Sequence, residues 1–319
     1  MLTPHNPLPA ILAQAEFAHL HFECRMEETV DIDIPTILRL RRRLRTAAQE
    51  ILHHRAELFK HLFEPALSAD PVALKRYQKG APAFVIVPTS IRYGYYGGGD
   101  LFGFEVRLFG NITLQASGLI EAFAALGKAG LRLDAGKYTL ERVWAGDAGG
   151  NATEVWHESG REQFHNIPRL DLGWWLEGQP QTCRELELQF STPARLLTQA
   201  RPMFNPDLER LFPFILRRVT AMLYIHCGIE VDPAELELAP GIKGWSCVEN
   251  KLHWYDWRHL RGDTGRAKPV GGICGTLRIH GDITYPLLSV LQLGSLLNLG
   301  KNAAYGAGAY NVRYMNPEE

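Results

Sequence analysis

The chain has 319 residues, of which 46% are hydrophobic and 22% are charged, and its formal net charge is −1. This is the composition of an ordinary globular protein of about two domains. The near-neutral charge excludes a polycation, so any nucleic acid must bind to local basic patches. The sequence has no apolar window of the ~18 residues that cross a bilayer and no basic, apolar signal sequence at its start. Its five scattered cysteines form no C-x-x-C pair, so we expect a reducing, cytoplasmic location without membrane contact.

In the first half of the chain, the spacing of apolar residues predicts the order strand, helix, strand, strand, helix, strand. Strands are expected at Glu16–Met26, Ala83–Val87, Leu101–Thr113 and Lys137–Trp144. A long helix is expected from Pro35, a good first-turn residue, to about Phe63. A second helix is expected over Gly118–Lys128, with Ser117 as its cap.

The second half of the chain repeats this order. Strands are expected at Glu185–Phe190, Lys251–Trp257, Gly272–Tyr285 and Ala309–Tyr314, and helices at Asp207–Leu223 and Pro286–Leu299. Two successive βαββαβ units predict an α+β fold of two tandem ferredoxin-like, RRM-like domains. We place the first domain at residues 1–180, including a connecting hairpin at Glu154–Asn166, and the second at residues 181–319.

A glycine-rich loop lies where the last helix leads into the last strand. It contains Gly300, Lys301, Asn302, Gly306 and Gly308. Glycine permits positive φ and close backbone approach, so such a loop can present N–H groups and one cation to a phosphate chain. The alternative is a tight turn shaped only for packing.

Several motifs resemble one family. The block Gly271–Asp282, followed by a helix and the glycine loop, resembles the CRISPR-associated repeat endoribonucleases of the RAMP superfamily, the Cas-six family. Phe190–Leu196 followed by Leu216–Val219 is similar to the strand and helix of the family's second domain. Leu62-Phe63-Glu64-Pro65 and Leu108-Phe109-Gly110 are similar to segments of its first domain.

The resemblance implies metal-independent cleavage of CRISPR repeat RNA without a cofactor. In that reaction a ribose 2′-OH attacks the adjacent phosphate and leaves a 2′,3′-cyclic phosphate and a 5′-OH, and the protein can keep the mature crRNA. Related proteins often carry cysteines before the Leu-Phe-Glu-Pro segment, where this chain has Leu52-His53-His54-Arg55. We therefore expect no metal there.

Such a reaction needs a base, an acid and positive charge at the phosphorane. His53 and His54 are the candidate acid and base, because the resemblance places a catalytic residue late in the first helix and imidazole titrates near neutrality. On a continuous helix, His53 and Lys60 share a face, so Lys60 is the expected phosphate stabiliser. His54 lies nearer the apolar stripe of Ile51 and Leu58. The alternative is that both histidines are ordinary surface residues. His157 and His165 are a second candidate pair.

Two basic segments are candidates for contact with RNA phosphates, to which arginine gives bidentate bonds. The first is an arginine run on the long helix, from which we select Arg39, Arg42 and Arg45. The second is a turn that carries Arg258, Arg261, Arg266 and Lys268 beside Trp254 and Trp257. A solvated helix and a surface hairpin are the alternatives.

Two other functions compete with cleavage. The first is a non-catalytic RNA-binding RAMP subunit of a CRISPR effector complex, which would use the same fold and loop. The second is a tandem ferredoxin-like enzyme acting on a small molecule, but the sequence lacks a Walker loop, an H-E-x-x-H motif or a G-x-G-x-x-G motif ahead of a helix. Other subunits of an effector complex and a second copy of the chain are the protein partners left open.

Overall fold

The structure, a computed structural model, describes residues 8–66, 77, 80–133, 135–160, 166–231, 244–256 and 271–315. It consists of two compact units. The first is built from Pro7–Trp175 with Thr220–Glu230, and the second from Leu176–Val219 with Val231–Glu319. No helix of the described residues is long and apolar enough to cross a membrane.

The first unit contains one main antiparallel sheet in the order β3-β5-β1-β6-β7, in which the short strand β8 also pairs with β1. Its strands are β1 (Glu16–Met26), β2 (Val30–Ile32), β3 (Phe84–Val87), β4 (Gly94–Tyr96), β5 (Leu101–Phe109), β6 (Tyr138–Gly146), β7 (Ala152–His157) and β8 (Leu170–Asp171). Its helices are α1 (Leu8–Leu12), α2 (Ile34–Leu38), α3 (Leu40–Ile51), α4 (Ala56–Phe63) and α5 (Ala116–Ala129). The order of β3, β5, β1 and β6 is that of a ferredoxin-like βαββαβ unit.

The core of this unit lies between the helices and one face of the sheet. Phe22 of β1 stacks on Phe104 of β5 with ring centroids 4.8 Å apart, and it meets Phe123 of α5 at 4.9 Å. Successive strand residues point to opposite faces, so His19 and His21 lie on the face of β1 that points away from these helices. Helix α3 packs against α5.

The long first helix of the prediction is wrong in one respect, because the chain forms three helices there. A turn at residues 52–55 separates α3 from α4. On a continuous helix, Leu52 and Leu58 would point about 120° apart, whereas both are buried in the structure. Arg55 in the turn forms an ion pair with Glu121 of α5. The break therefore turns Leu52 toward the core and leaves Ile51 40% exposed.

The second unit has the sheet order β12-β14-β9-β15, with β13 also paired to β14. Its strands are β9 (Cys183–Ala194), β10 (Leu197–Thr198), β11 (Arg201–Pro202), β12 (Trp245–Asn250), β13 (His253–Asp256), β14 (Gly271–Ile283) and β15 (Tyr310–Tyr314). Its main helices are α7 (Leu208–Met222) and α8 (Tyr285–Leu297), and α6 (Leu172–Glu177) precedes β9. This order is again ferredoxin-like, so the predicted fold class is confirmed.

Two predicted strands differ from the structure. Of the strand expected at Lys251–Trp257, the structure forms β13 at His253–Asp256, and Trp257 lies outside the described residues. The separate strand β12 precedes it, and the ladder with β14 is interrupted between the two strands because the N–H of Leu252 donates to the side chain of Asn250 (3.1 Å). The hairpin expected at Glu154–Asn166 is displaced, because Glu154–His157 ends β7, which pairs with the preceding strand β6; residues 161–165 lie outside the described residues.

In each unit an arginine binds the C-terminal end of the second helix of the βαββαβ unit, which is α5 in the first unit and α8 in the second. Arg43 of α3 donates to the carbonyls of Ala129 and Gly130 at the end of α5. Arg218 of α7 donates to the carbonyl of Leu297 at the end of α8 (3.1 Å), and burial lowers its pKa to about 10. Cations are favourable at a helix C-terminus, so both arginines have a structural role.

Candidate nucleic-acid interface

The turn between α3 and α4 exposes the two candidate catalytic histidines. The Nδ1 atom of His53 lies 2.8 Å from the carbonyl oxygen of Glu50. A carbonyl only accepts hydrogen bonds, so Nδ1 carries the proton and Nε2 of the neutral ring keeps its lone pair. The rings of His53 and His54 meet edge to face with centroids 5.1 Å apart. The two imidazoles are thus close enough to contact one phosphodiester.

Two geometric predictions about this segment are wrong. His54 was expected against the apolar stripe, but it is exposed. Lys60 was expected on the same helix face as His53, but the turn at 52–55 separates them. Lys60 lies on α4, where its Nζ binds Glu57 (2.8 Å), and this hydrogen bond and charge lower the pKa of Glu57. Both side chains are exposed, and exposed ion pairs are weak.

The arginines of α3 have different partners. Arg43 binds the end of α5, and Arg45 forms an ion pair with Glu64. Arg39 and Arg42 are exposed, and both line a groove of about 780 Å³ between α3 and the segment after α5.

The groove beside Arg39 and Arg42 is basic. Among the described residues, four guanidinium groups and one carboxylate, that of Glu50, line it. Arg132 on its far side donates to Asp33 (3.2 Å) and Thr36 (2.9 Å). Burial acts to raise the pKa of Asp33, but the hydrogen bonds from Thr36 and the charge of Arg132 leave it below its usual value. Asp33 therefore remains ionised and holds Arg132 in place.

The glycine loop does not form the expected cradle of N–H groups. Gly306 and Gly308 are buried, and the amide of Gly306 donates to Ala303 (3.1 Å). Thr192 of β9 donates its hydroxyl to the carbonyl of Gly306 (2.7 Å) and accepts from the amide of Ala309 (2.8 Å).

The N-terminal part of the same loop is also fixed by backbone contacts. A Cβ atom at Gly300 would lie 2.6 Å from the carbonyl oxygen of Arg195, to which the amide of Lys301 donates (3.0 Å). These glycines therefore allow the loop to pack on β9. The side chain of Lys301 is exposed and that of Asn302 is half-buried.

The second basic segment cannot be placed, because Arg258, Arg261, Arg266 and Lys268 lie outside the described residues, as do Trp257 and His165. Trp254 is half-buried, with its ring centroid 4.8 Å from that of Phe204. His157 accepts a hydrogen bond from the amide of Ser159 (3.1 Å). Among the described residues, no group of three or more His, Cys, Asp or Glu side chains could hold a metal ion.

One cluster of titratable groups on the first sheet is not among the residues predicted from the sequence. The Nε2 atom of His19 lies 2.9 Å from one oxygen of Glu105, and Nδ1 of His21 lies 4.0 Å from the other. The hydrogen bond from His19, followed by the charges of nearby basic groups, lowers the pKa of Glu105. The alternation His19-Leu20-His21 was visible, but only the register of β1 with β5 brings Glu105 beside both rings.

Comparisons with known proteins agree with this fold. Residues 188–310 match the family model of the CRISPR-associated endoribonuclease Cas6, and residues 39–168 match the AF_1859_N family, described as an N-terminal domain. No curated protein sequence matches the chain.

Solved structures match the fold over nearly the whole chain. A Cas6 (TTHA0078) product complex is 14% identical and covers 94% of this chain and 100% of its own, with a TM-score of 0.51. The product complex of Thermus thermophilus Cas6 (TTHB231) is 13% identical and covers 93% and 99%, with a TM-score of 0.50. A partial Cas6-RT-Cas1–Cas2 complex is 15% identical and covers 96% of this chain and 48% of its own, with a TM-score of 0.54.

Two ferredoxin-like units in tandem form a fold that this chain shares with the solved Cas6 structures. The family model over residues 188–310 confirms the resemblance of this part of the chain to the CRISPR-associated endoribonuclease Cas6.

Proposed function

We propose that this protein is a metal-independent, cytoplasmic endoribonuclease that cuts CRISPR repeat RNA to mature crRNA. The Cas6 family model over residues 188–310 supports the endoribonuclease activity. Similar structures that are product complexes, and one in a Cas6-RT-Cas1–Cas2 complex, support repeat RNA and other CRISPR proteins as partners. The observation that carries the chemistry is the oriented pair His53 and His54.

The proposed reaction is attack of a ribose 2′-OH on the adjacent phosphate. Nε2 of His53 accepts the 2′-OH proton, because its Nδ1 proton is held by the carbonyl of Glu50. The protonated ring of His54 gives its proton to the leaving 5′ oxygen. The products are a 2′,3′-cyclic phosphate and a 5′-OH, and Lys60 stabilises the charge that develops on the phosphorane.

The exposed face of α3 suggests how RNA reaches this pair. Arg39, Arg42 and Thr46 follow one another at three- and four-residue spacing on an exposed face, and His53 comes seven residues later. At 1.5 Å per residue, Arg42 lies about 14 Å along α3 from Ile51, the last residue of the helix, and His53 follows in the turn at 52–55. We infer that Arg39 and Arg42 hold phosphates of the strand whose scissile phosphate lies at His53.

Incubation of the purified chain with labelled repeat RNA in EDTA tests this function. We expect cleavage in EDTA, abolished when a single 2′-deoxy residue replaces the ribose at the cleavage site, because that ribose supplies the nucleophile. A product with a 2′,3′-cyclic phosphate end would be seen by its resistance to phosphatase until acid opens the ring. Tight binding without cleavage would contradict the nuclease assignment and favour the non-catalytic RAMP subunit.

The salt dependence of RNA affinity tests the arginine contacts. Replacing Arg39 and Arg42 by glutamine should reduce the slope of log K against log salt concentration by about 1.4, since each phosphate contact to a single strand contributes about 0.7. Arg45→Gln is the matched control on the same helix, because its guanidinium is paired with Glu64. An equal loss of slope in the Arg45 variant, or none in the double variant, would contradict the assignment.

A further inference from the structure

We propose that the face of the first unit's sheet that points away from its helices is a second RNA site. This site, called the platform below, consists of His19, His21 and Trp144 and stacks bases of a single-stranded segment. The choice of RNA as the ligand rests on the proposed function. The site itself rests on the register of three adjacent strands.

One row of side chains crosses the middle of this face. His21 of β1 pairs directly with Glu105 of β5 on one side and with Trp144 of β6 on the other. Directly opposed residues on neighbouring strands have Cβ atoms about 5 Å apart. The side chain of His21 is 48% exposed, and Trp144 is half-exposed. A carboxylate, an imidazole and an indole therefore lie side by side and open to solvent.

The next row provides space for a ligand. His19 pairs with Arg107 of β5 and with Gly146 of β6. Apart from its chain neighbours, no atom of the part of the chain that the structure describes lies within 4 Å of the position that a Cβ atom would take at Gly146. His19 is opposite Gly146 across the ladder, and Trp144 lies two residues earlier on the same face of β6. An aromatic base that occupies this space is therefore next to both ring-bearing residues.

The polar groups of the cluster suit a base rather than a phosphate. Glu105 stays ionised because the hydrogen bond from His19 and the nearby charges lower its pKa. Its carboxylate can accept from base amino groups, and its charge disfavours phosphate contact. Arg107 balances that charge, and although burial lowers its pKa to about 10, it is still protonated at neutral pH. Single-stranded RNA is recognised by such stacking on aromatic and histidine rings combined with hydrogen bonds to base edges.

This face cannot serve the same phosphate as His53. Phe22, the neighbour of His21 on β1, points to the opposite side of the sheet, where it meets Phe123 of α5. Helix α5 packs against α3, which leads to His53. The sheet therefore separates the two sites, and the platform holds a different segment of the RNA. In the second unit, the corresponding strand β9 carries Glu185, Glu187 and Gln189 on its half-exposed face, without a ring.

Fluorescence of 2-aminopurine tests the platform in the full chain. A single-stranded repeat RNA would carry this base at each position in turn, and stacking quenches its emission. We expect quenching at one or two positions away from the cleavage site. Trp144→Ala and His21→Ala should each abolish that quenching and weaken RNA binding about 5- to 140-fold, the range typical for one stacked base. Trp144→Phe keeps a ring and should retain most of the affinity.

His280→Ala is the matched control, because His280 is an exposed histidine on the central strand β14 of the other sheet, opposite Glu185. It should bind RNA like the parent chain. Affinity within twofold of the parent for both Trp144→Ala and His21→Ala would overturn the platform, as would a parent chain that binds no single-stranded RNA. Cleavage by the parent chain is measured in parallel. If the parent chain binds RNA through Trp144 and His21 but does not cut it, only the proposed nuclease function is refuted. If the parent chain cuts RNA and the two variants bind it normally, only the proposed platform is refuted.

Discussion

Alanine at both His53 and His54 is expected to lower the single-turnover rate of repeat-RNA cleavage by about 10²-fold or more, the usual cost of losing acid–base catalysis. Both rings are exposed, and the structure gives them one polar partner, the carbonyl of Glu50 beside His53. Removing them therefore leaves no buried group unsatisfied and should not disturb folding. RNA affinity should change little, since the contacts to phosphates come from other side chains.

His61→Ala provides the control for this experiment. His61 is an exposed histidine on α4, close in sequence to the candidate pair, and its loss should leave the cleavage rate unchanged. The rate is measured with protein in excess over labelled RNA, so that product release does not enter. A double variant that cleaves like the parent chain would remove the acid–base assignment. In that case the nuclease activity, if present, would have to use other groups.

The repeated ferredoxin-like fold could be predicted because its signals are local. The alternation of Phe102, Phe104, Val106 and Leu108 identifies β5 without any tertiary information, and the leucines after Pro286 identify α8. Once the order of elements is known, the βαββαβ connection leaves few sheet topologies. The order β3-β5-β1-β6 in one unit and β12-β14-β9-β15 in the other agrees with that expectation.

The candidate site was less predictable, because its geometry depends on distant partners. The break after α3 follows from the burial of Leu52 and from the pair between Arg55 and Glu121, which lies 66 residues away. The five neighbouring arginines looked alike in the sequence. Acceptors elsewhere in the fold, such as the carbonyl of Gly130 for Arg43, decide which of them remain available for RNA.

The cluster of His19, His21 and Glu105 could not be predicted for the same reason. His19 and Glu105 are 86 residues apart, and their hydrogen bond depends on the register of β1 and β5. Alternation predicted that His19 and His21 share a face of a strand. It contained no information about which residues of the neighbouring strands would lie beside them.

Alanine at Gly308 is expected to destabilise the second unit by about 3 kcal/mol or more. Gly308 has φ +67°, where a side chain costs roughly 1–2 kcal/mol. A Cβ atom there would also lie 1.9 Å from the carbonyl oxygen of Leu299, and overpacking adds about 1–3 kcal/mol. The backbone cannot move away easily, because the amide of Leu299 donates to the carbonyl of Gly308 (2.8 Å). Thermal unfolding should show a fall in Tm of about 6–12 °C.

Gly228→Ala separates the cost of backbone strain from the cost of the Cβ clash. Gly228 has nearly the same φ, +70°, but among the described residues no atom beyond its chain neighbours lies within 4 Å of the position that a Cβ atom would take there. Its substitution should cost only the backbone strain of roughly 1–2 kcal/mol, and equal losses of stability at the two positions would contradict the clash.

Gly308→Ala also has an expected effect on RNA binding, since Gly308 is buried and contributes packing rather than an N–H group to the ligand. Any loss of RNA affinity in Gly308→Ala should therefore follow the unfolded fraction of the protein and vanish at a temperature where the variant is folded. Lys301 is an exposed residue of the same loop. Lys301→Ala should weaken RNA binding without changing Tm.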